Sequence, residues 1–141
     1  MRLDSISTKL VQLYREASVE QRTRAALALC RLVTSGLQLQ DANIDAALKI
    51  LNGGAGDSVE VRRRLDVLGS NFDEQYLNLS NENDRITTEA GFLFRQARAV
   101  SALAYALSPG NLHEAIYEAI IAAANQNEAI SVVETILIGA K

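Results

Sequence analysis

Apolar residues recur every three or four positions along most of this 141-residue chain, and only one proline interrupts them. This spacing matches the 3.6-residue turn of an α-helix, so it predicts helices rather than strands. A chain of this length can bury a core without disulfides or a structural metal. We predict one all-α domain over 1–141, an irregular antiparallel bundle of six or seven helices. The predicted helices span 5–16, 19–35, 42–52, 58–79, 85–107, 110–125 and 128–138.

Polar residues, glycines and the proline predict where these helices begin and end. Ser18 is expected to open a capping box at the start of the second helix, and Gly36 to be its left-handed C-cap. Gly69 weakens the fourth helix by roughly 1 kcal/mol relative to alanine. The polar run 80–84 predicts a loop, and Ser108–Pro109 predicts the N-cap and first turn of the sixth helix.

The last segment is ambiguous because residues 130–138 are rich in β-branched side chains, which favour strands. A lone strand leaves its backbone groups unpaired unless a second chain pairs with it. We therefore favour a helix here.

The chain also shows a possible internal repeat. Residues 24–36 align with 98–110 at an offset of 74, and residues 39–52 align with 112–125 at an offset of 73. Helices two to four would then correspond to helices five to seven, and a short α-solenoid built from a duplicated three-helix unit is the alternative fold. Alanine-rich helices align easily by chance, so the closed bundle is favoured.

The net charge of −3 lies entirely in the C-terminal third. That segment contains Glu114, Glu118, Glu128 and Glu134 against a single lysine at its end. An acidic segment is a poor ligand for phosphates, so its charge argues against nucleic acid and anionic membrane as its partners. The N-terminus lacks the apolar core of a signal peptide, and no run approaches the ~18 apolar residues of a membrane span. We expect a cytoplasmic protein.

Side chains suited to catalysis are few. Cys30 is the only cysteine, so it forms no intramolecular disulfide, and its apolar helical setting predicts a buried thiol. His113 is the only imidazole and is expected to face solvent, without the second histidine of a zinc-binding helix. Glu114 and Glu118 share a helix face, but no Glu-x-x-His motif accompanies them. We interpret them as solvated carboxylates and predict no cofactor, no metal site and no enzymatic activity.

Basic residues give a secondary candidate surface. Arginines one heptad apart on the second helix, together with residues along the fifth, form a possible basic face for an acidic protein or for RNA. Its members are Arg24, Arg31, Arg95, Arg98 and Tyr105. The run Arg62–Arg64 is expected to be neutralised by Glu60 and Asp66 on the same helix.

The C-terminal helical hairpin is the main candidate for function. Its first helix is apolar almost all round, which is typical of a helix in the core or at an interface. The predicted interface residues are Glu114, Tyr117, Glu118, Ile121, Val133, Ile136, Leu137 and Ile138.

These observations favour a protein–protein interaction module that acts through the apolar, acidic-rimmed C-terminal hairpin. It would be an adaptor, a scaffold or a small acidic inhibitor of the immunity type, and its partner would be another protein or a second copy in a homodimer. The alternatives are a bundle enzyme or ligand carrier that uses carboxylates from several helices, and an RNA-binding module that uses the arginines.

Overall fold

The computed structural model describes residues 1–82, 88–108 and 110–139, and among them it contains helices and no strand. A short 3-10 helix, Arg2–Ser5, precedes seven α-helices. These are α1 (Thr8–Glu16), α2 (Val19–Gly36), α3 (Ala42–Leu51), α4 (Ser58–Glu82), α5 (Thr88–Ala106), α6 (Leu112–Ala122) and α7 (Gln126–Ile138). The predicted all-α fold is confirmed, and the ambiguous last segment is a helix. None of the described helices is long and apolar enough to cross a membrane.

Side-chain caps explain where α2 begins and ends. Ser18 Oγ accepts from the Gln21 amide at 3.1 Å, and the Gln21 side chain accepts from the Ser18 amide at 2.9 Å, so the predicted capping box is confirmed. The left-handed residue that ends the helix is Gln38, with φ of 53°, and not Gly36. The Leu39 amide donates back to the Thr34 carbonyl at 3.0 Å, a bond that requires this turn.

Helix α4, the first helix of the α4–α5 hairpin, is longer than predicted. Gly69 does not break α4, because α5 packs against it there: an added Cβ would lie 3.5 Å from Val100 Cγ1. Residues 80–82 continue the helix, so the loop predicted from residue 80 is wrong at its start. Positions 83–84 of that loop and the predicted start of α5 at 85–87 lie outside the described residues.

The predicted sixth helix is too long at both ends. Ser108 does not cap it, because its hydroxyl donates to the Ala104 carbonyl at 3.1 Å and accepts from Arg62 at 2.9 Å. The helix begins only at Leu112, and residue 109 lies outside the described part of the chain. At the other end, Asn125 Oδ1 accepts from the Glu128 amide at 3.0 Å and starts α7 instead.

Helices α2 and α5 form the centre of the bundle. Helix α2 packs against α3, α5, α6 and α7, and α5 packs against α2, α3, α6 and α4, with which it forms an antiparallel hairpin. The N-terminal elements close onto the C-terminal ones: the 3-10 helix contacts α6 and α1 contacts α7. In a solenoid each unit contacts only its neighbours, so these contacts indicate a closed bundle. The internal duplication itself stays a prediction from sequence.

Cys30 lies in the middle of the core with no solvent exposure. The largest fully buried side chains of the same core include Leu29, Leu103, Ile116, Ile120 and Val133. Burial raises the pKa of the Cys30 thiol to about 12, because the apolar surroundings disfavour the thiolate.

We therefore expect Cys30 to resist thiol reagents at pH 8 while the protein is folded, since the reactive thiolate is both scarce and inaccessible. Titration with Ellman's reagent should show no reaction in buffer and complete reaction of this thiol in denaturant. Reaction of the native protein at the rate of a free cysteine would contradict the buried position.

Candidate functional site

The structure places much of the predicted C-terminal interface inside the molecule. Glu118, Val133 and Leu137 are 2%, 0% and 4% exposed, so these three residues are not available at the surface as predicted. The reason is that α6 packs against α2, α5 and the 3-10 helix, while α7 packs against α2 and α1, so that each helix of the hairpin is covered on its inner sides. Glu114, Tyr117, Ile121 and Ile136 are half-buried, and Ile138 is exposed.

The buried carboxylate of Glu118 lies at the centre of a cluster of charged side chains that extends to the surface. Its Oε1 accepts from Arg2 Nη2 at 3.0 Å and from Arg98 Nη1 at 3.4 Å. Arg98 Nη2 also donates to both Asp73 oxygens at 3.3 Å, and Arg2 Nε donates to Glu114 at 2.7 Å. We call these five residues the Glu118 cluster. The interpretation of Glu114 and Glu118 as solvated carboxylates is therefore wrong.

Both arginines of the Glu118 cluster are also held by aromatic rings. Arg2 Cζ lies 4.3 Å from the centre of the Tyr117 ring, and Arg98 Cζ lies 5.7 Å from that of Phe94. Hydrogen bonding to Glu114 raises the pKa of Arg2, so its guanidinium stays charged. A buried carboxylate is tolerated only when it is paired in this way.

The arrangement of the cluster fits a structural role. Glu118 is out of contact with solvent, and guanidinium groups occupy its oxygens, so it is not placed to exchange protons with a substrate. Among residues 1–82, 88–108 and 110–139, no three His, Cys, Asp or Glu side chains are grouped to hold a metal ion. His113 is only a quarter exposed and lies edge-on to Tyr14, with 6.1 Å between ring centres, so it does not fully face solvent.

We expect Glu118→Gln to lower the free energy of unfolding by about 2–3 kcal/mol, because it leaves the partly buried Arg98 without its second carboxylate. Glu114→Gln is the matched control, with a loss of about 1 kcal/mol or less, because its partner Arg2 is 44% exposed. Urea unfolding at constant m-value measures both losses. Equal losses in the two variants would show that Glu118 does not hold the cluster together.

The predicted basic face is divided by the fold. Arg98 points into the Glu118 cluster, and Arg24 pairs with Glu20 at 3.0 Å on its own helix. Tyr105 lies in a separate polar depression between α4 and α5, beside Arg62. Only two members, Arg31 and Arg95, flank one surface feature.

The run Arg62–Arg64 is neutralised only in part as predicted. Arg63 and Arg64 pair with Glu60 at 2.7 Å and 3.1 Å. Arg62 instead reaches across to Ser108 on the far side of the α4–α5 hairpin. Of the three arginines, only Arg62 therefore takes part in the packing of that hairpin.

The surface feature beside Arg31 and Arg95 is an open groove along α2. Ala28, Leu32 and Gly36 follow one another at four-residue spacing and line it together with Val132 of α7. The groove has a volume of about 580 Å³, and a deeper pocket of about 180 Å³ continues from Leu32 and Gly36. We call both together the α2–α7 groove. Its full lining is Ala28, Arg31, Leu32, Val33, Ser35, Gly36, Arg95, Ala122, Ala123, Ala124, Asn125, Glu128 and Val132.

The groove exists because small residues lie where the end of α2 meets the start of α7. Helices α2 and α7 run antiparallel, since Gly139 lies beside Gln21 while Gly36 and Asn125 line the same pocket. Arg95 Nε donates to the Ala122 carbonyl at 2.9 Å and so binds a free carbonyl at the end of α6, beside the groove. At Gly36, no atom lies within 4 Å of an added Cβ, so the groove is open there.

Comparison with known proteins gives no further guide to this surface. The chain matches no known protein family, and no curated protein or solved structure shows significant similarity to it.

Proposed function

We propose that this protein is a non-enzymatic protein-binding module of the cytoplasm, and that it binds its partner in the α2–α7 groove. The observation that carries this proposal is an open groove of about 580 Å³ lined mainly by alanine, leucine, valine and glycine. Apolar surface left uncovered at a helix pair is typical of a site for another protein segment. An enclosed cavity would instead favour a small molecule.

The proposed binding surface includes part of the predicted C-terminal surface together with residues of α2. Val132 contributes directly, and Ile136 follows it by one turn on the same face of α7. Helix α6 contributes through its last residue, Ala122, whose carbonyl is bound by Arg95. Homodimerisation through this groove is the self-association form of the same proposal.

Other exposed apolar residues are less suited to binding a protein. Phe92 and Phe94 of α5 are 38% and 37% exposed, but residues two apart on a helix point in different directions. Phe94 also packs against Tyr76 at 5.6 Å between ring centres. Val19 and Val59 are isolated exposed residues at helix starts, which are common on protein surfaces.

A photoreactive side chain placed at Ser35, in the groove wall, tests this proposal in the host cell. We expect it to form an adduct with one discrete protein, or with a second copy of the chain. The same side chain at the exposed Val59 of α4, which lines no part of the groove, should not form this adduct.

Gly36 offers a matched pair of variants for the same experiment. Gly36→Phe should abolish the adduct by filling the groove, whereas Gly36→Ala should preserve it. Both variants should fold at least as stably as the parent, because the site is open and replacing a helical glycine is worth up to ~1 kcal/mol. An adduct that persists in Gly36→Phe, or no adduct at Ser35, would refute the groove as the binding surface.

A further inference from the structure

We infer that the segment bound in the α2–α7 groove is an amphipathic helix whose apolar face is flanked by carboxylates. This inference rests on the proposed function and adds the chemistry of the partner. It follows from two independent features of the groove, its helical wall and the arginines at its rim.

The wall of the groove has the shape that accepts a helix. Ala28, Leu32 and Gly36 are one row of residues four apart, and such rows form the ridges and grooves by which helices pack. The row covers about 12 Å of α2, or two helical turns, which matches two or three anchors of a bound helix. Because Ala28, Ser35 and Gly36 are small, a second helix backbone is able to approach closely.

Two arginines at the rim of the groove have no ion pair with a described residue. The exposed guanidinium of Arg31 has no ion pair with any residue in the described part of the chain. Arg95 uses Nε for the Ala122 carbonyl, and its two terminal nitrogens have no partner among those residues. Carboxylates on a bound segment would form ion pairs with both arginines.

Glu128 sets a limit on this electrostatic complementarity. It is exposed at the same end of the groove as Arg95, and its carboxylate has no ion pair with a described residue. The rim therefore has two positive groups against one negative group. Arg31 and Arg95 attract a bound acidic helix, and Glu128 repels it. Reversing the charge of an arginine should therefore weaken its binding, and reversing that of Glu128 should strengthen it.

Two synthetic helical peptides of about 18 residues, long enough to form a helix, are the probes for this inference. They share one leucine-rich face and carry glutamates or lysines on its flanks. Fluorescence anisotropy with the full chain should show the glutamate peptide binding about tenfold more tightly than the lysine peptide. This preference should shrink as salt rises from about 50 mM to about 300 mM.

Variants of the chain assign the preference to the groove. Arg31→Glu should weaken the glutamate peptide about five- to tenfold, and Glu128→Lys should strengthen it a few-fold. Gly36→Phe should abolish binding, whereas Gly36→Ala should preserve it. Arg15→Glu is the control for charge, since this exposed arginine lies beside Arg22 near the start of α2.

Several outcomes would overturn the inference. Equal or tighter binding of the lysine peptide, or an unchanged affinity in Arg31→Glu, would exclude carboxylate recognition. No binding of either peptide would exclude a helical acidic occupant. A dimer in sedimentation equilibrium that Gly36→Phe dissociates would assign the groove to a second copy. In each case a groove-specific adduct at Ser35 would still support the proposed function, so failures of the two proposals are distinguishable.

Discussion

The burial of α2 against three later helices is the constraint on which this fold depends. Its apolar face, with Ala25, Leu29 and Val33, is covered by α5, α6 and α7, and this contact brings the two ends of the chain together. Because α2 is longer than α7 and the α6–α7 connection is built of small residues, the outer edge of α2 near Gly36 stays uncovered. The same packing that closes the bundle therefore leaves the α2–α7 groove.

The Glu118 cluster also joins the two halves of the bundle. It joins the N-terminal 3-10 helix, α4, α5 and α6 through ion pairs between residues as far apart in sequence as Arg2 and Glu118. Because of these pairs, Glu118 and Arg98 are not free to bind a partner. Both were predicted site residues, and in the structure they stabilise the fold. Of the remaining members of the predicted basic face, Arg31 and Arg95 have no ion pair with a described residue, and both line the α2–α7 groove.

Helical periodicity predicted the fold class and most helix positions, because apolar spacing and caps such as Ser18 are local signals. It failed where a side chain distant in sequence determines a helix start or the burial of a charged group. Ser108 resembles an N-cap in sequence, but it is bound by Arg62 from another helix. Likewise, Arg2 gives no local signal of its pairing with Glu118, so the burial of that carboxylate was not predictable from sequence. The groove was missed for the same reason, since its walls come from helices about a hundred residues apart.

Amide chemical-shift mapping of the isotope-labelled chain with the glutamate peptide shows directly where an acidic helix binds. If it binds in the α2–α7 groove, the largest shift changes fall in 28–36 and 122–132, the two stretches that line this groove. Changes centred instead on 72–79 and 88–94, the part of the α4–α5 hairpin where Leu77, Phe92 and Phe94 are exposed, would contradict binding in the groove.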